Sequence, residues 1–303
     1  MPLLTSPVGR AAVALAATVF TTASCSTPSD GPSASSSTST STESAVPPSA
    51  GAGGSYLALG DSVPFGLRTR LSDDEYRDAK NFQGYPELVG KDLGLDVINA
   101  TCPGETTASF VDVTAKSNGC ENGANTTDGY RDTFPLHVAY DTADQSQLAF
   151  AVETLKRVDD VRLVTLQIGA NDAFVCQSST ADHCQAPAEY QAMGQTIQAN
   201  LGKILSTLRG EGQYDGQIVV VDYYAFDYTS SWANASSLLN SVISGVATAN
   251  GATVADAFTA FQKAAAQSGG NSVTAGLLPP NDVHPTEKGH RLLADTVESV
   301  VAD

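Results

Sequence analysis

Short apolar runs recur along the chain, separated by longer stretches with a wider hydrophobic period. Residues 56–59, Tyr-Leu-Ala-Leu, form one such run ending at Gly60, the pattern of a buried strand entering a turn. Runs at 96–99, 163–168, 217–223 and 253–256 predict four more strands, the fourth of the five rich in Val. Between them the apolar positions fall at helical spacing. Residues 85–93 predict a helix with Pro86 in its first turn. Residues 145–157 carry Leu148, Val152 and Leu155 on one side, and 189–208 present Met193, Ile197, Ile204 and Leu208. Helices are also expected at 236–249 and at 287–301, where Leu293, Val297, Val300 and Val301 make one stripe. Regular strand–helix alternation predicts an α/β domain with a parallel sheet covered on both faces, spanning residues 55–303 without internal repeat. Residues 101–142, dense in Asn, Asp, Thr and Gly, read as an irregular excursion rather than core.

The first fifty-odd residues follow neither pattern. Arg10 precedes an apolar run at 11–20 that is too short to span a bilayer, which takes roughly 20 residues. A basic start, a short apolar stretch and small residues together predict an export signal over residues 1–25. Thr22-Ala23-Ser24-Cys25 resembles a bacterial lipobox, which would leave Cys25 lipidated at a new N-terminus, although Thr22 stands where that motif prefers Leu. The plainer alternative is a secretion signal cleaved nearby, with Cys25 discarded. More than half of residues 26–50 are Ser or Thr, with Pro28, Pro32, Pro47 and Pro48 among them. No core can come from that composition, so residues 26–54 are expected to be a disordered linker.

Composition narrows the function. Sixteen Lys and Arg against 33 Asp and Glu give a net charge of −17. That balance disfavours nucleic acid and a polybasic hold on anionic lipid. Removing Cys25 leaves an even set, Cys102, Cys120, Cys176 and Cys184. In an oxidising compartment such a set suggests two bridges, and sequence proximity favours Cys102–Cys120 and Cys176–Cys184. No Cys-x-x-Cys pair occurs, and His183 beside Cys184 has no partner at zinc spacing, so no metal is expected.

Ligands of open parallel sheets bind beyond the carboxyl ends of the strands. Those ends read Gly60-Asp61-Ser62, Asn99 to Gly104, and Gly169-Ala170-Asn171-Asp172, and Asn281-Asp282-Val283-His284-Pro285 precedes the last helix. A serine hydroxyl needs a base to take its proton, and histidine titrates nearest working pH, so Ser62 and His284 are a candidate nucleophile and base. Here the chain resembles the SGNH hydrolases, also called GDSL esterases and lipases. Gly60-Asp61-Ser62, Gly104, Gly169-x-Asn171-Asp172 and His284-Pro285 match the family's four blocks in order, and Gln83-Gly84-Tyr85-Pro86 looks like the opening of its first helix. The resemblance implies a flavodoxin-like three-layer α/β/α sandwich with about five parallel strands. It also implies an oxyanion hole from the Ser62 and Gly104 backbone N–H groups and the Asn171 amide, with no cofactor. Asp61 and Asp172 then support the turns around Ser62 and Asn171.

The chain departs from the family at the acid, since Asn281 stands three residues before His284 where Asp is usual, and Asp282 stands two before. Asp282 is the preferred partner of His284; a backbone carbonyl near Asn281, leaving a Ser–His dyad, and a weak site are the alternatives. Tyr223, Tyr224, Phe226, Tyr228 and Trp232 follow the fourth strand and read as core plus packed loop, or as the wall of an acyl site, for which Phe65, Tyr130 and Phe134 are similar candidates. His290 is expected at the surface, and His137 and His183 have no matched partner. The expected function is a secreted or envelope-anchored monomeric esterase or lipase acting on small or lipid esters. Its rivals are a phospholipase, deacetylase, thioesterase or acyltransferase on the same site, and a non-catalytic envelope lipoprotein. An α/β-hydrolase elbow and a dinucleotide fingerprint are both missing from the sequence.

Overall fold

The computed structural model describes residues 53–121 and 129–302. The chain divides into two units, Met1–Ala45 and Val46–Asp303, and all described residues belong to the second. The expected export signal, Cys25 and all but the end of the linker lie outside the described residues.

Strands β1 (Ser55–Gly60), β2 (Asp96–Asn99), β3 (Val161–Gln167), β4 (Gln217–Val221) and β5 (Thr253–Ala255) form one sheet. Its order is β2-β1-β3-β4-β5, with every neighbouring pair parallel. Each falls on a predicted run. Strand β1 is interior, with Leu57 between Ile98 and Val164. Its Tyr56, Leu57, Ala58 and Leu59 are all buried, because both faces of a parallel sheet are covered and the alternation of a half-exposed strand disappears.

The helices are α1 (Ser62–Phe65), α2 (Asp73–Tyr76), α3 (Tyr85–Leu93), α4 (Thr107–Val111), α5 (Tyr130–Thr133) and α6 (Gln147–Arg157). They continue as α7 (Ala170–Ser179), α8 (Pro187–Gly210), α9 (Ser231–Ala249), α10 (Ala257–Ala265) and α11 (Glu287–Glu298). Helices α3, α10 and α11 pack together, as do α4, α6, α7, α8 and α9, giving the two outer layers of an α/β/α sandwich. Helix α7 has no readable apolar face because it buries its polar end, Asn171 and Asp172.

Two expectations are corrected. The stretch 101–142 is partly core: Phe110 of α4 is fully buried, as are Cys102, Glu105, Thr107, Ser109 and Cys120. Its polar side chains enter the interior because they bond each other and the strand ends; Thr107 donates to Asp172 and Ser109 to Glu105. His290 is likewise buried, at 4% exposure. It lies on the inward stripe of α11 with Leu293, Ala294 and Val297. Burial, and then the nearby His284 and Arg68, push its pKa down to about 3.

The end of β1 is clamped. Gly60 has φ +132°, and a Cβ there would lie 2.0 Å from the Gln167 carbonyl oxygen, so only glycine lets β1 close on β3 at this point. The side-chain amide of buried Gln147 grips the same residue. Its Oε1 accepts the Gly60 N–H at 2.6 Å, and its Nε2 donates to the Gly60 carbonyl at 3.0 Å and to Glu105 at 3.1 Å. Gln147→Met keeps the volume and removes both functions. It is expected to lower unfolding free energy by about 1–3 kcal/mol, the cost of stranding the Gly60 N–H, as read by urea denaturation of the oxidised protein.

Candidate active site

The strand order reverses between β1 and β3, the switch point at which open sheets bind ligands. Both segments that leave this point turn at once into helices. Asp61 caps α1 by accepting the Val63 N–H at 2.9 Å, and its other oxygen accepts the Tyr223 hydroxyl at 2.5 Å. Below α1, Asn99 donates to the Pro64 carbonyl at 3.1 Å and to Glu87 at 2.7 Å. These bonds hold Ser62 at the first turn of α1, 9% exposed, facing a cleft of about 450 Å³.

His284 reaches the same point from the loop before α11. Its Nε2 is 3.0 Å from Ser62 Oγ and its Nδ1 is 2.6 Å from Asp282 Oδ1. The two-residue spacing works through a tight turn. Asn281 adopts a left-handed conformation, φ +59°, which asparagine tolerates better than most residues. Asp282 Oδ1 then accepts the backbone N–H of His284 at 3.0 Å, an Asx turn, and the same oxygen meets the imidazole. Thr69 donates its hydroxyl to Asp282 Oδ2. Burial opposes the carboxylate, but the bonds from the His284 ring, Thr69 and the His284 N–H outweigh it and hold Asp282 well below the usual carboxylate range.

The residues expected to stabilise an oxyanion are arranged by two further devices. Cys102 and Cys120 form a disulfide, as do Cys176 and Cys184. The first ties the segment of Gly104 to that of Asn118, whose N–H donates to the Gly104 carbonyl at 2.7 Å. Gly104 has φ +86°, and a Cβ would fall 2.6 Å from the Asn118 carbonyl oxygen, so this contact requires glycine. The Asn118 side chain donates to Asn171 Oδ1 at 2.8 Å, which turns the Asn171 Nδ2 away from that partner. Ser62 and Asn171 line the cleft; Gly104 does not. Neither the Ser62 nor the Gly104 backbone N–H donates to another described residue. Asp172 accepts both the N–H and the hydroxyl of Thr107, a bracing contact. Cys102, Glu105 and Cys120 converge closely enough to suggest a metal cage, but their two sulfurs are bonded to each other.

The remaining candidates separate. Tyr223, Tyr224, Phe226 and Trp232 line the cleft, together with Phe174 and Gln177 of α7. Tyr228 packs edge-on against Phe258 instead. Phe65, Tyr130 and Phe134 do not line the cleft, because they stack among Phe82, Tyr76 and His137. His137 Nε2 meets the Phe65 carbonyl at 3.0 Å, and His183 Nδ1 the Gln177 carbonyl at 3.1 Å. Sequence reasoning missed Thr69 and Asn118. Thr69 carries no local signal, whereas a Cys102–Cys120 bridge already implies that residue 118 returns toward Gly104.

The chain belongs to the GDSL-like Lipase/Acylhydrolase family, which matches it over residues 58–292. Its fold is similar to that of a mutant acetyl-xylooligosaccharide esterase from Geobacillus, with a TM-score of 0.52 and 15% identity over 83% of this chain and 95% of the other. An acetylxylan esterase from Geobacillus stearothermophilus gives a TM-score of 0.50 and 15% identity over 83% and 95%. A phospholipase A1 from Streptomyces albidoflavus gives 0.47 and 21% over 81% and 98%. Comparison with curated proteins returns no match. The family supports a carboxylic ester hydrolase, and the similar structures support the fold.

Two predictions arise from this geometry. Burial raises the carboxyls of Asp61 and Asp172 to about 6 and that of Asp222 to about 7. The folded state therefore holds these protons more tightly than the unfolded chain, so their contribution falls as pH rises through those values. Asp282 and His290 act oppositely, the contribution of Asp282 being lost as pH falls below the ordinary carboxylate range and that of the buried neutral His290 as pH falls below the ordinary histidine range, but the three raised carboxyls together outweigh them. The urea midpoint is expected to be higher at about pH 5 than at about pH 8, with Asp222→Asn flattening the difference. Separately, Asn118→Asp turns a donor toward Asn171 into an acceptor and favours rotation of that amide. Ester hydrolysis is expected to lose about 10²-fold in kcat with KM little changed, the size of one lost oxyanion donor.

Proposed function

We propose that this chain is a secreted or lipid-anchored serine hydrolase that cleaves carboxylic esters through an acyl-Ser62 intermediate. The observation that carries the reading is the unbroken hydrogen-bond relay from Ser62 through His284 to Asp282 at the foot of an apolar cleft. As Ser62 Oγ attacks the ester carbonyl carbon, His284 Nε2 takes the hydroxyl proton. The carbonyl oxygen becomes an oxyanion, received by the N–H groups of Ser62 and Gly104 and the amide of Asn171. When the tetrahedral intermediate collapses, the bond to the alcohol breaks and His284 returns the proton to the departing oxygen. Water then attacks the acyl-serine with His284 again as base, freeing the acid and restoring Ser62. Asp282 keeps Nδ1–H directed toward itself and stabilises the imidazolium without taking its proton. Preferred on this reading over a Ser–His dyad is the triad, because one Asp282 oxygen is committed to the ring.

The wall formed by Phe174, Phe226, Trp232 and Leu239 is suited to an acyl chain longer than acetyl. Two disulfides support folding in an oxidising compartment, which agrees with the export signal and with a tether through Cys25. Among the described residues no helix is long and apolar enough to cross a membrane. The enzyme would act as a monomer on small or lipid esters.

A p-nitrophenyl ester series from acetyl to palmitoyl tests this. Turnover is expected to peak beyond acetyl. Ser62→Ala and His284→Ala should abolish it, and Asp282→Ala should lower kcat by about 10⁴-fold. Near-normal activity in Asp282→Ala would establish a dyad, and wild-type rates equal to those of Ser62→Ala on every ester would refute the hydrolase. Serine replacement of Cys102 and Cys120 should lower kcat at temperatures where the domain remains folded, since it frees the segment carrying Gly104 and Asn118.

A further inference from the structure

The large apolar side chains left exposed among the described residues are Phe174, Phe226, Trp232 and Leu238. They are not scattered. Phe174, Phe226 and Trp232 line the cleft that ends at Ser62. Leu238 is on α9, about one turn from Ala235, which lines the same cleft, but is not itself a lining residue. Trp232 is 63% exposed and Leu238 56%. Exposed apolar residues are ordinary one at a time, but gathered around a concave site they mark a surface that is covered in use.

Charge identifies what covers it. Among the described residues no Lys or Arg lines the cleft, and the only charged ones that do are Asp61 and Asp227. Asp61 is buried on Tyr223, and Asp227 is occupied by the N–H and hydroxyl of Thr229. The rim is therefore nearly uncharged in a chain of net charge −17. An anionic lipid surface would be repelled by that charge and would find no cation at the rim to offset it. A net-neutral lipid surface meets no such opposition. An exposed indole suits it, with an apolar body for the acyl region and an N–H for the headgroups.

We infer that the rim of Phe174, Phe226, Trp232 and Leu238 is a docking surface for a net-neutral lipid–water interface. An ester held in that interface passes its acyl chain into the cleft without crossing bulk water. The use of docking rests on the esterase reading above, but docking itself requires no turnover and is measured without it.

Trp232 is the sole tryptophan of the chain, so its emission reports on the rim alone. Full-length protein carrying Ser62→Ala is titrated with phosphatidylcholine vesicles and, separately, with phosphatidylglycerol vesicles. The expected result is a blue shift of Trp232 emission with phosphatidylcholine and at least tenfold weaker response to phosphatidylglycerol. Leu238→Ser is expected to weaken the phosphatidylcholine response about tenfold, the scale of one exposed leucine withdrawn from lipid. In protein with Ser62 intact, the same substitution should leave hydrolysis of soluble p-nitrophenyl butyrate unchanged. No shift with phosphatidylcholine overturns the inference, as does a shift that Leu238→Ser leaves intact. It is also overturned if the protein dimerises in lipid-free solution and Leu238→Ser abolishes the dimer, since a second copy then covers the rim. Absence of esterase activity with the vesicle response intact would refute the esterase reading alone.

Discussion

The site hangs on the grip of one buried amide on the last peptide of β1. Gln147 reaches from α6 to satisfy both sides of Gly60, and its nitrogen also meets Glu105 in the loop after β2. The Cys102 N–H adds a bond to the same Gly60 carbonyl at 3.1 Å. One residue thus fixes where β1 stops, where the next loop begins, and how α6 sits against both. Because these groups are buried, an unmade bond among them is costly, and the end of β1 and the loop after β2 are held in a single arrangement.

From that anchor the proposed nucleophile and the residues proposed to bind an oxyanion are positioned by short, separate connections. Ser62 follows Gly60 by two residues and is held by the cap on α1. The Gly104 segment is held by a disulfide and by Asn118, and Asn171 opens α7 at the end of β3. Ser62 and Asn171 stand at the ends of regular elements, and the loop of Gly104 is pinned by the disulfide and Asn118, which limits how far each can drift. The same helix that carries Asn171 in its first turn presents Phe174 and Gln177 to the cleft, so these lining residues belong to one element.

The sheet was legible because all five strands are short apolar runs bounded by turn residues, and Ser62, Asn171 and His284 were legible as the residues at strand ends and before the last helix. What escaped was polar burial. His290 reads as a surface residue by type, and only the inward stripe of α11 reveals otherwise. Glu105, Thr107 and Gln147 carry no sequence mark of burial, since what admits them to the interior is partners distant in the chain. Asp282 shows the same limit at closer range: its spacing from His284 left several readings open, and only the left-handed turn at Asn281 brings the carboxylate to the ring.

That turn divides the relay into unequal halves. The acid and the imidazole lie two residues apart, and their contact is made by local backbone geometry. The imidazole and the serine are 222 positions apart and meet only through the assembled sheet. A modest loosening of the domain would part Ser62 from His284 while leaving the histidine and its carboxylate together. The protein would then keep a correctly oriented base with nothing to deprotonate, and reassembly of the sheet alone would be enough to restore the site.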